Sequence, residues 1–396
     1  MQRGNGGLVE ERAADILLVA GEASGDLHGA RLAASLRRLS PNIRLAGMGG
    51  ASMRAAGVQM LADAGETAVV GLTELWEKRR ALRTALRILR HALTTCRPRL
   101  LVCIDFPDFN LLLSRSAHRL GIPVCYFISP QVWAWRGGRI RTIRRLVRKM
   151  LVLFPFEERL YRDAGVDARF VGHPLLESLE GIPPRAVCRE RLGLEPDACV
   201  LGLLPGSRAA ELARHLPLLL AAAGRIRAAI PALVVLVSLH DGAARGAVES
   251  AAARSGVPTR IIEGRTPEAI RAADFLLAVS GTVTLEAAIL GTPMLITYRL
   301  GRLTYCLARL LVRVRFIGLP NIVAEQGIVP ELIQAAATPD RLAATALRLL
   351  RSPEQMAAMR AALAEVRRRL GSPGASERAA REVLALLDAG PAPGVV

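Results

Sequence analysis

Aromatic residues are scarce in this chain, at 4% of its 396 residues, whereas 51% of the residues are hydrophobic. Cores of leucine, valine, isoleucine and alanine are therefore expected. A surface that binds nucleic acid by stacking bases on aromatic rings is disfavoured, and the sequence has neither a zinc-finger nor an RNP1 motif. The sequence therefore predicts no nucleic-acid partner.

Lysine is almost missing, with Lys78 and Lys149 the only two, and arginine supplies nearly all of the formal net charge of +18. A chain this basic attracts anionic lipid or phosphorylated substrates. Long uncharged apolar runs are also missing, because the nearest one, residues 275–298, is interrupted by Glu286, glycines and Pro293. We expect a soluble or peripheral protein.

The six cysteines form no C-x-x-C pair and no cluster with histidine, and no D-x-D motif occurs. These absences predict no zinc, no disulfide and no other metal or cofactor. The first residues show no secretory pattern, so a reducing, cytoplasmic compartment is expected.

Short apolar strands alternate with helical segments along the chain, which is typical of α/β domains with parallel sheets. The first set has predicted strands at residues 16–20, 100–104, 124–128 and 151–153. After a break near Gly172, the second set has them at residues 200–204, 233–238, 260–262, 275–279 and 294–297. We predict two Rossmann-like domains, residues 1–172 and 173–396, with a cleft between them and the terminal helices in the second domain. Ligands of such sheets bind beyond the carboxyl ends of the strands.

Three loops of the first half follow predicted strands. In residues 20–26 (AGEASGD), glycines permit a tight turn before a helix, and Ser24 or Asp26 either caps that helix or faces a ligand. In residues 104–110 (IDFPDFN), Asp105 leaves an apolar strand, where it can act as a general base or form an Asx-turn. Residues 129–139 carry two of the three tryptophans, which bind a sugar or acyl chain or pack within their own domain.

Two loops of the second half repeat this arrangement. In residues 203–208, Arg208 stands at a helix start, where the helix dipole disfavours a cation unless an anion lies between them. In residues 280–293, Ser280, Gly281 and Thr282 start a helix, and Glu286 lies one turn further along the face of Thr282. This pattern suits a nucleoside diphosphate, although an ordinary capped helix has the same spacing.

Taken in this order, the loops resemble the lipid-A-disaccharide synthase family of GT-B glycosyltransferases over about residues 16–380. The matching segments are AGEASGD (20–26), IDFPDFN (104–110), SPQVWAWR (129–136), LPGSR (204–208), SGTVTLEAAILGTP (280–293), LPN (319–321) and VPELIQ (329–334). The helix from Ser280 to Glu286 by itself resembles the donor site of many GT-B enzymes.

The resemblance implies an inverting, metal-independent glycosyltransferase of lipid A and lipopolysaccharide biosynthesis. UDP-2,3-diacylglucosamine would donate its sugar to 2,3-diacylglucosamine 1-phosphate, giving the β-1,6 disaccharide 1-phosphate and UDP. It implies Asp105 as general base. It also implies a set of substrate-binding residues, namely Glu22, Ser24, Arg208, Ser280, Gly281, Thr282, Glu286, Asn321 and Gln334.

Acylated substrates imply that the enzyme meets the cytoplasmic face of the inner membrane. In residues 76–93, Leu82, Leu86 and Leu89 recur at helical spacing among arginines, which favours either an anionic membrane surface or packing on the protein's own sheet. Whether the enzyme forms a homodimer is left open by the sequence.

Two other functions compete with this one. Another GT-B protein, such as the UDP-N-acetylglucosamine transferase of peptidoglycan synthesis or a UDP-sugar epimerase, would share the helix at 280–286 but need not have IDFPDFN and SPQVWAWR. A basic nucleic-acid-binding protein is the alternative of a different class.

Overall fold

The computed structural model describes residues 14–63, 74–133, 138–239, 244–301, 305 and 315–389. The chain forms two compact domains. The first contains residues up to Pro174 and those from Pro373 onward, and the second contains Leu175–Ser372. The crossing from the first to the second domain lies next to the predicted boundary at residue 172.

The first domain has a seven-stranded sheet in which every described pairing is parallel. Its strand order is β3-β2-β1-β4-β5-β6-β7. The strands are β1 (Ile16–Ala20), β2 (Leu45–Gly49), β3 (Gln59–Asp63), β4 (Leu100–Ile104), β5 (Val124–Phe127), β6 (Lys149–Val152) and β7 (Ala168–Phe170). The central strands β1 and β4 are buried along their whole length, as expected for strands covered on both faces.

The second domain has a six-stranded sheet of the same kind, with order β10-β9-β8-β11-β12-β13 and parallel pairings. Its strands are β8 (Val200–Leu204), β9 (Val234–Leu239), β10 (Thr259–Glu263), β11 (Phe275–Val279), β12 (Met294–Tyr298) and β13 (Glu331–Ile333). The prediction of two Rossmann-like α/β domains is therefore confirmed.

Helices connect the strands. Those of the first domain are α1 (Ala23–Leu39), α2 (Ala51–Ala55), α3 (Glu74–Thr95), α4 (Pro107–Arg119), α5 (Arg139–Leu146) and α6 (Pro155–Asp163). The second domain follows with α7 (Leu175–Ser178), α8 (Arg185–Arg191), α9 (Ala209–Ala229), α10 (Arg245–Ser255), α11 (Thr266–Ala272), α12 (Thr282–Ile289), α13 (Leu319–Ala324), α14 (Pro339–Leu350) and α15 (Pro353–Arg369). The last helix, α16 (Ala375–Asp388), returns to the first domain.

The strand order reverses beside the first strand of each sheet. In the first domain β1 lies between β2 and β4, and in the second β8 lies between β9 and β11. Loops that leave two neighbouring strands at such a reversal lead to helices on opposite faces of the sheet, which opens a crevice for ligand. The loops after β1, β4, β8 and β11 are therefore the expected ligand-binding loops.

The assignment of the last terminal helix to the second domain needs a correction, because α16 packs against α1 in the first domain. Arg38 pairs with Glu377 at 2.5 Å, and Lys149 Nζ lies 2.7 Å from Glu382. Arg99 also donates to the carbonyl oxygen of Leu387 at 3.0 Å. These polar contacts surround an apolar face of α16 that is buried.

The leucine stripe of α3 was expected to face either lipid or the sheet, and the structure shows that it faces the sheet. Leu89 and Leu93 have no exposed surface and belong to the core of the first domain. Leu82 and Leu86 are partly buried against the same core. The assignment of Leu82, Leu86 and Leu89 to a membrane contact is thus corrected. In the described part of the chain, no helix combines the length and apolarity needed to cross a bilayer.

Replacing Leu89 by alanine should lower the melting temperature of the protein by several degrees. A buried leucine costs about 2–5 kcal/mol to truncate, because the transfer free energy is lost and a cavity is left. Its neighbour Ile88, which is 39% exposed, provides the matched control. Thermal melts of Leu89→Ala and Ile88→Ala would contradict the packing described here if the two changes were equally destabilising.

Candidate active site

The loop after β1 packs directly against the loop after β4. A Cβ atom added at Gly21 would lie 2.1 Å from Cδ1 of Phe106, so only glycine fits beneath that ring. Phe106 in turn stacks on Phe109, with ring centroids 5.3 Å apart. The AGEASGD and IDFPDFN segments, which are far apart in sequence, therefore form one unit at the carboxyl edge of the first sheet.

Asp26 has a structural role in this loop. Its buried carboxylate accepts hydrogen bonds from the backbone N–H groups of Gly50 (2.6 Å), Ser52 (2.9 Å) and Met53 (3.1 Å). Burial opposes its ionisation, but the backbone donors together outweigh burial and lower the pKa of Asp26. The aspartate therefore caps α2 rather than its own helix.

Asp105 is held by its backbone. Its φ of 47° lies in the left-handed region, as does that of Phe106 at 49°. Its N–H donates to the carbonyl of Phe127 at 3.0 Å, while its own carbonyl accepts from Tyr126 Oη (2.6 Å) and Asn110 Nδ2 (2.7 Å). Tyr126 and Asn110 are fully buried. This clamp fixes where the chain leaves β4 and thereby where the Asp105 side chain begins.

The electrostatic setting of Asp105 favours proton acceptance. Burial raises the pKa of the half-buried Asp105 carboxyl, the backbone N–H of Phe106 lowers it, and the negative charge of Glu22 raises it again. A carboxylate with a raised pKa is a stronger base than an ordinary surface aspartate. Glu22 and Ser24 are exposed at the start of α1, in the same unit as Asp105.

A buried carboxylate that the sequence analysis missed organises the segment after β5. Glu157, 3% exposed, accepts from Ser129 Oγ at 2.7 Å, Trp133 Nε1 at 3.1 Å and the N–H of Phe154 at 3.2 Å. Burial raises the pKa of Glu157 to about 7, although these donors lower it. The signal was present, because Pro155 and Glu157 occupy the first and third positions of α6, where proline and glutamate are favoured. The residues 134–137 of the same motif lie outside the described ranges.

In the second domain, the loop after β8 presents a largely exposed arginine. The side chain of Arg208 is 82% exposed and lies 3.5 Å from Glu211. Gly206 has a φ of +105°, and a Cβ added there would lie 2.8 Å from the Cβ of Glu211, which requires glycine at this turn. The Arg208 guanidinium at the start of α9 is thus available to an anion.

The loop after β11 presents the start of α12. Gly281 and Thr282 are exposed there, and Glu286 is half-buried one turn further on. Ser280 is tied more closely to the protein, since its hydroxyl donates to the carbonyl of Ile317 at 2.8 Å. The N–H groups at this helix start and the nearby hydroxyl of Thr282 form a suitable anion site.

Asn321 does not present its amide to a ligand, which corrects its expected role in substrate binding. The residue is fully buried. Its Nδ2 donates to the carbonyl of Val329 (2.9 Å) and to Glu331 Oε1 (2.7 Å), and its Oδ1 accepts from the N–H groups of Ile328 and Val329, both at 2.9 Å. All of its hydrogen-bonding capacity is used within the protein. Asn321 therefore shapes the loop after α13.

Gln334 likewise uses its amide within the protein. Its Oε1 accepts from the N–H of Leu300 at 2.8 Å, and its Nε2 lies 3.4 Å from the Leu300 carbonyl. A second missed residue, the buried His215, accepts from the N–H of Arg299 at 2.9 Å and so fixes the chain beside Leu300. In the described ranges, no three His, Cys, Asp or Glu side chains are grouped as metal ligands would be.

Comparison with known sequences places these loops in a family. The lipid-A-disaccharide synthetase family model matches residues 16–385. The lipid-A-disaccharide synthase of Syntrophus aciditrophicus is 46% identical over 373 residues, covering 94% of this chain and 97% of that protein. The enzyme of the same name from Myxococcus xanthus is 44% identical over 375 residues, covering 95% and 98%.

Solved structures show the same fold at much lower identity. The UDP-N-acetylglucosamine 2-epimerase of Neisseria meningitidis bound to UDP-GlcNAc aligns with a TM-score of 0.64 at 13% identity, covering 93% of this chain and 99% of that one. The calicheamicin glycosyltransferase CalG4 aligns with a TM-score of 0.60 at 16% identity, covering 96% and 99%. These similarities confirm the expected GT-B type of fold.

The different settings of Asn321 and Thr282 predict different effects of truncation. Asn321→Ala should lower the melting temperature of the ligand-free protein, because buried partners left unpaired cost about 1–3 kcal/mol each. Thr282→Ala, which removes an exposed hydroxyl, should leave the melting temperature unchanged and weaken the binding of UDP. Thermal melts and calorimetric titration with UDP separate these roles. An Asn321→Ala protein with a normal melting temperature and lost UDP binding would restore the direct-contact role.

Proposed function

The chain belongs to the lipid-A-disaccharide synthase family, and from this we propose that it joins UDP-2,3-diacylglucosamine to 2,3-diacylglucosamine 1-phosphate. The products are the β-1,6-linked disaccharide 1-phosphate and UDP. The observation that carries the proposal is the family match over residues 16–385, which includes the loops at the strand-order reversals of both sheets.

We propose that the second domain binds the donor. The N–H groups at the start of α12, with Gly281 and Thr282 exposed, would hold the diphosphate, and Arg208 would neutralise its charge. Ser280 would support this helix start through its bond to Ile317. Glu286, one turn into the helix, would accept hydrogen bonds from the ribose hydroxyls. This arrangement stabilises the negative charge that builds up on UDP as it leaves.

We propose that the first domain supplies the base. The carboxylate of Asp105 takes the proton of the acceptor's 6-hydroxyl as that oxygen attacks the anomeric carbon. The bond from this carbon to the diphosphate breaks in the same displacement, its electron pair leaves with UDP, and the configuration inverts. The clamp on the Asp105 backbone holds the base in place before substrate arrives, and Glu22 and Ser24 would border the acceptor in the adjoining loop.

Asp105→Asn should abolish turnover with little effect on UDP affinity, because loss of a general base typically costs about 10²–10⁴-fold in rate. In the wild-type protein, kcat/KM should fall as the pH drops through the pKa of Asp105, which burial and Glu22 hold above the ordinary aspartate value. Glu22→Gln removes one raising influence and should move this acid limb to lower pH. Disaccharide formation is measured by mass spectrometry with both acylated substrates.

Two results would contradict this assignment. A near-normal kcat for Asp105→Asn would remove Asp105 as the base. Absence of disaccharide from the wild-type protein with both substrates present would overturn the proposed reaction itself. Calorimetry with UDP provides the control, since the loops proposed to bind the donor belong to the other domain and should be intact in the variant.

We propose that an arginine-rich face of the first domain meets the cytoplasmic face of the inner membrane. Helices α3, α4 and α5 pack side by side, α3 on α4 and α4 on α5. They carry a series of exposed arginines, namely Arg79, Arg80, Arg83, Arg87, Arg90, Arg115, Arg119, Arg141, Arg144 and Arg145. Such a face attracts anionic lipid, so substrates with acyl chains would be met at the bilayer surface. The proposal rests on this charge, since the leucines of α3 are turned to the core.

Vesicle binding should increase with anionic lipid content and decrease with salt, because the attraction is screened within a Debye length of about 8–10 Å. Arg83→Ser with Arg87→Ser should weaken the binding roughly 30-fold, since each arginine near an anionic surface contributes about 1 kcal/mol. Arg254→Ser with Arg341→Ser, which removes two exposed arginines from the second domain, serves as the charge-matched control. Co-sedimentation with phosphatidylglycerol vesicles measures both pairs, and equal losses would contradict a specific face on the first domain.

A further inference from the structure

Glu157 is a buried carboxylate to which the reaction described above assigns no role. Three donors converge on it from two parts of the chain: Ser129 Oγ and Trp133 Nε1 from the segment after β5, and the N–H of Phe154 at the start of α6. A carboxylate accepts all three, because ionised oxygens are acceptors only. Glutamine at this position would turn an NH₂ group towards at least one donor.

The segment 129–133, here termed the acceptor-side segment, is attached to α6 at further points. Tyr161 Oη donates to the carbonyl of Pro130 at 3.3 Å, and the ring of Trp133 meets that of Phe156 edge-on, with centroids 5.5 Å apart. Phe156 stacks on Phe154 at 5.5 Å. The start of α6 thus determines the position of the whole segment, and Glu157 makes the shortest of these contacts.

The acceptor-side segment leaves the sheet next to Asp105. Strands β4 and β5 are paired, with Ile104 opposite Phe127, and the N–H of Asp105 donates to the Phe127 carbonyl. Ile128, which joins Phe127 at the end of β5 to the acceptor-side segment, has a φ of 67°. This conformation is costly for a β-branched residue, and such strain persists where the surroundings hold it in place. The chain therefore turns sharply at Ile128, beside the base on the neighbouring strand, and the acceptor-side segment extends from that turn.

We propose that Glu157 is a positioning residue for the acceptor sugar lipid, acting through Ser129 and Trp133. This inference rests on the proposed function. The carboxylate keeps the acceptor-side segment against α6, so that Trp133 presents a fixed aromatic surface to the sugar or acyl part of the acceptor. The base is held separately by Tyr126 and Asn110, so loss of Glu157 should impair acceptor binding more than the chemical step.

Glu157→Gln, compared with Glu158→Gln, tests this inference. Glu158 is the neighbouring carboxylate and pairs with Arg162 at 2.8 Å, away from the segment. At pH 8, above the pKa of about 7 of Glu157, Glu157→Gln should raise the KM for the diacylglucosamine 1-phosphate acceptor about tenfold, as expected for the loss of about one hydrogen bond. The kcat and the KM for the UDP-sugar donor should change less than twofold, roughly within kinetic error. Glu158→Gln should match the wild type.

Fluorescence provides a readout that does not depend on turnover. In a form with Trp76→Phe and Trp135→Phe, Trp133 is the one remaining tryptophan. Adding Glu157→Leu should shift its emission to longer wavelength, because leucine offers no acceptor and the indole N–H loses its buried partner. If Glu157→Gln fails to fold, Ser129→Ala and Trp133→Phe each remove one donor and should raise the acceptor KM in the same way.

Two outcomes would overturn the inference. One is an unchanged Trp133 emission in Glu157→Leu, which would show that the carboxylate does not hold the segment. The other is a shifted emission with an unchanged acceptor KM in an enzyme that forms disaccharide, which would show that the segment does not serve the acceptor. Failure of the proposed function is distinct from both, since the wild-type protein would then form no disaccharide.

Discussion

The reversal of strand order beside β1 and beside β8 is the constraint on which the site residues depend. At each reversal, two neighbouring parallel strands send their chains to opposite faces of the sheet, so the loops that follow them diverge and leave backbone groups open. Gly21 with Phe106 in one domain, and Gly206 with Glu211 in the other, show how tightly the start of each loop is then packed. This topology sets the positions of the loops that carry the proposed base and the proposed diphosphate site.

Secondary structure could be predicted from the sequence where one hydrophobic pattern or one motif dominated a segment. The buried strands β1, β4, β8 and β11 were predicted with their full bounds, because each is a continuous apolar run followed by a turn. Strand β2 (LAGMG) was missed, since two glycines weaken its signal. Both glycines sit where a side chain would clash: a Cβ at Gly47 would lie 1.7 Å from the Leu18 carbonyl oxygen, and one at Gly49 would lie 2.4 Å from Met53 Sδ. The position of α16 could not be read from sequence, because an amphipathic helix does not specify which domain its apolar face meets.

Polar residues were harder to assign than strands, since residue type does not reveal how many hydrogen-bond partners the fold provides. Asn321, Thr282 and Gln334 are all polar residues of motif segments. The structure buries Asn321 and ties the Gln334 amide to Leu300, while Thr282 stays exposed at a helix start. The motif marks a region whose shape matters to function, and only the hydrogen-bond pattern separates residues that build the region from residues open to a ligand.

The same distinction separates the carboxylates of the first domain. Asp26 and Glu157 each accept three hydrogen bonds from the protein. Asp26 thereby holds the start of α2, and Glu157 holds the segment after β5 against α6. For Asp105, the side chains of Tyr126 and Asn110 instead donate to the backbone carbonyl oxygen. The carboxylate stays half-buried and has a raised pKa. Burial raises the pKa of Glu157 as well, so a raised pKa alone does not separate the two groups. A base also needs a lone pair left open for the proton, and converging donors would occupy it. Burial without saturation is therefore the physical property that distinguishes Asp105 from the structural carboxylates around it.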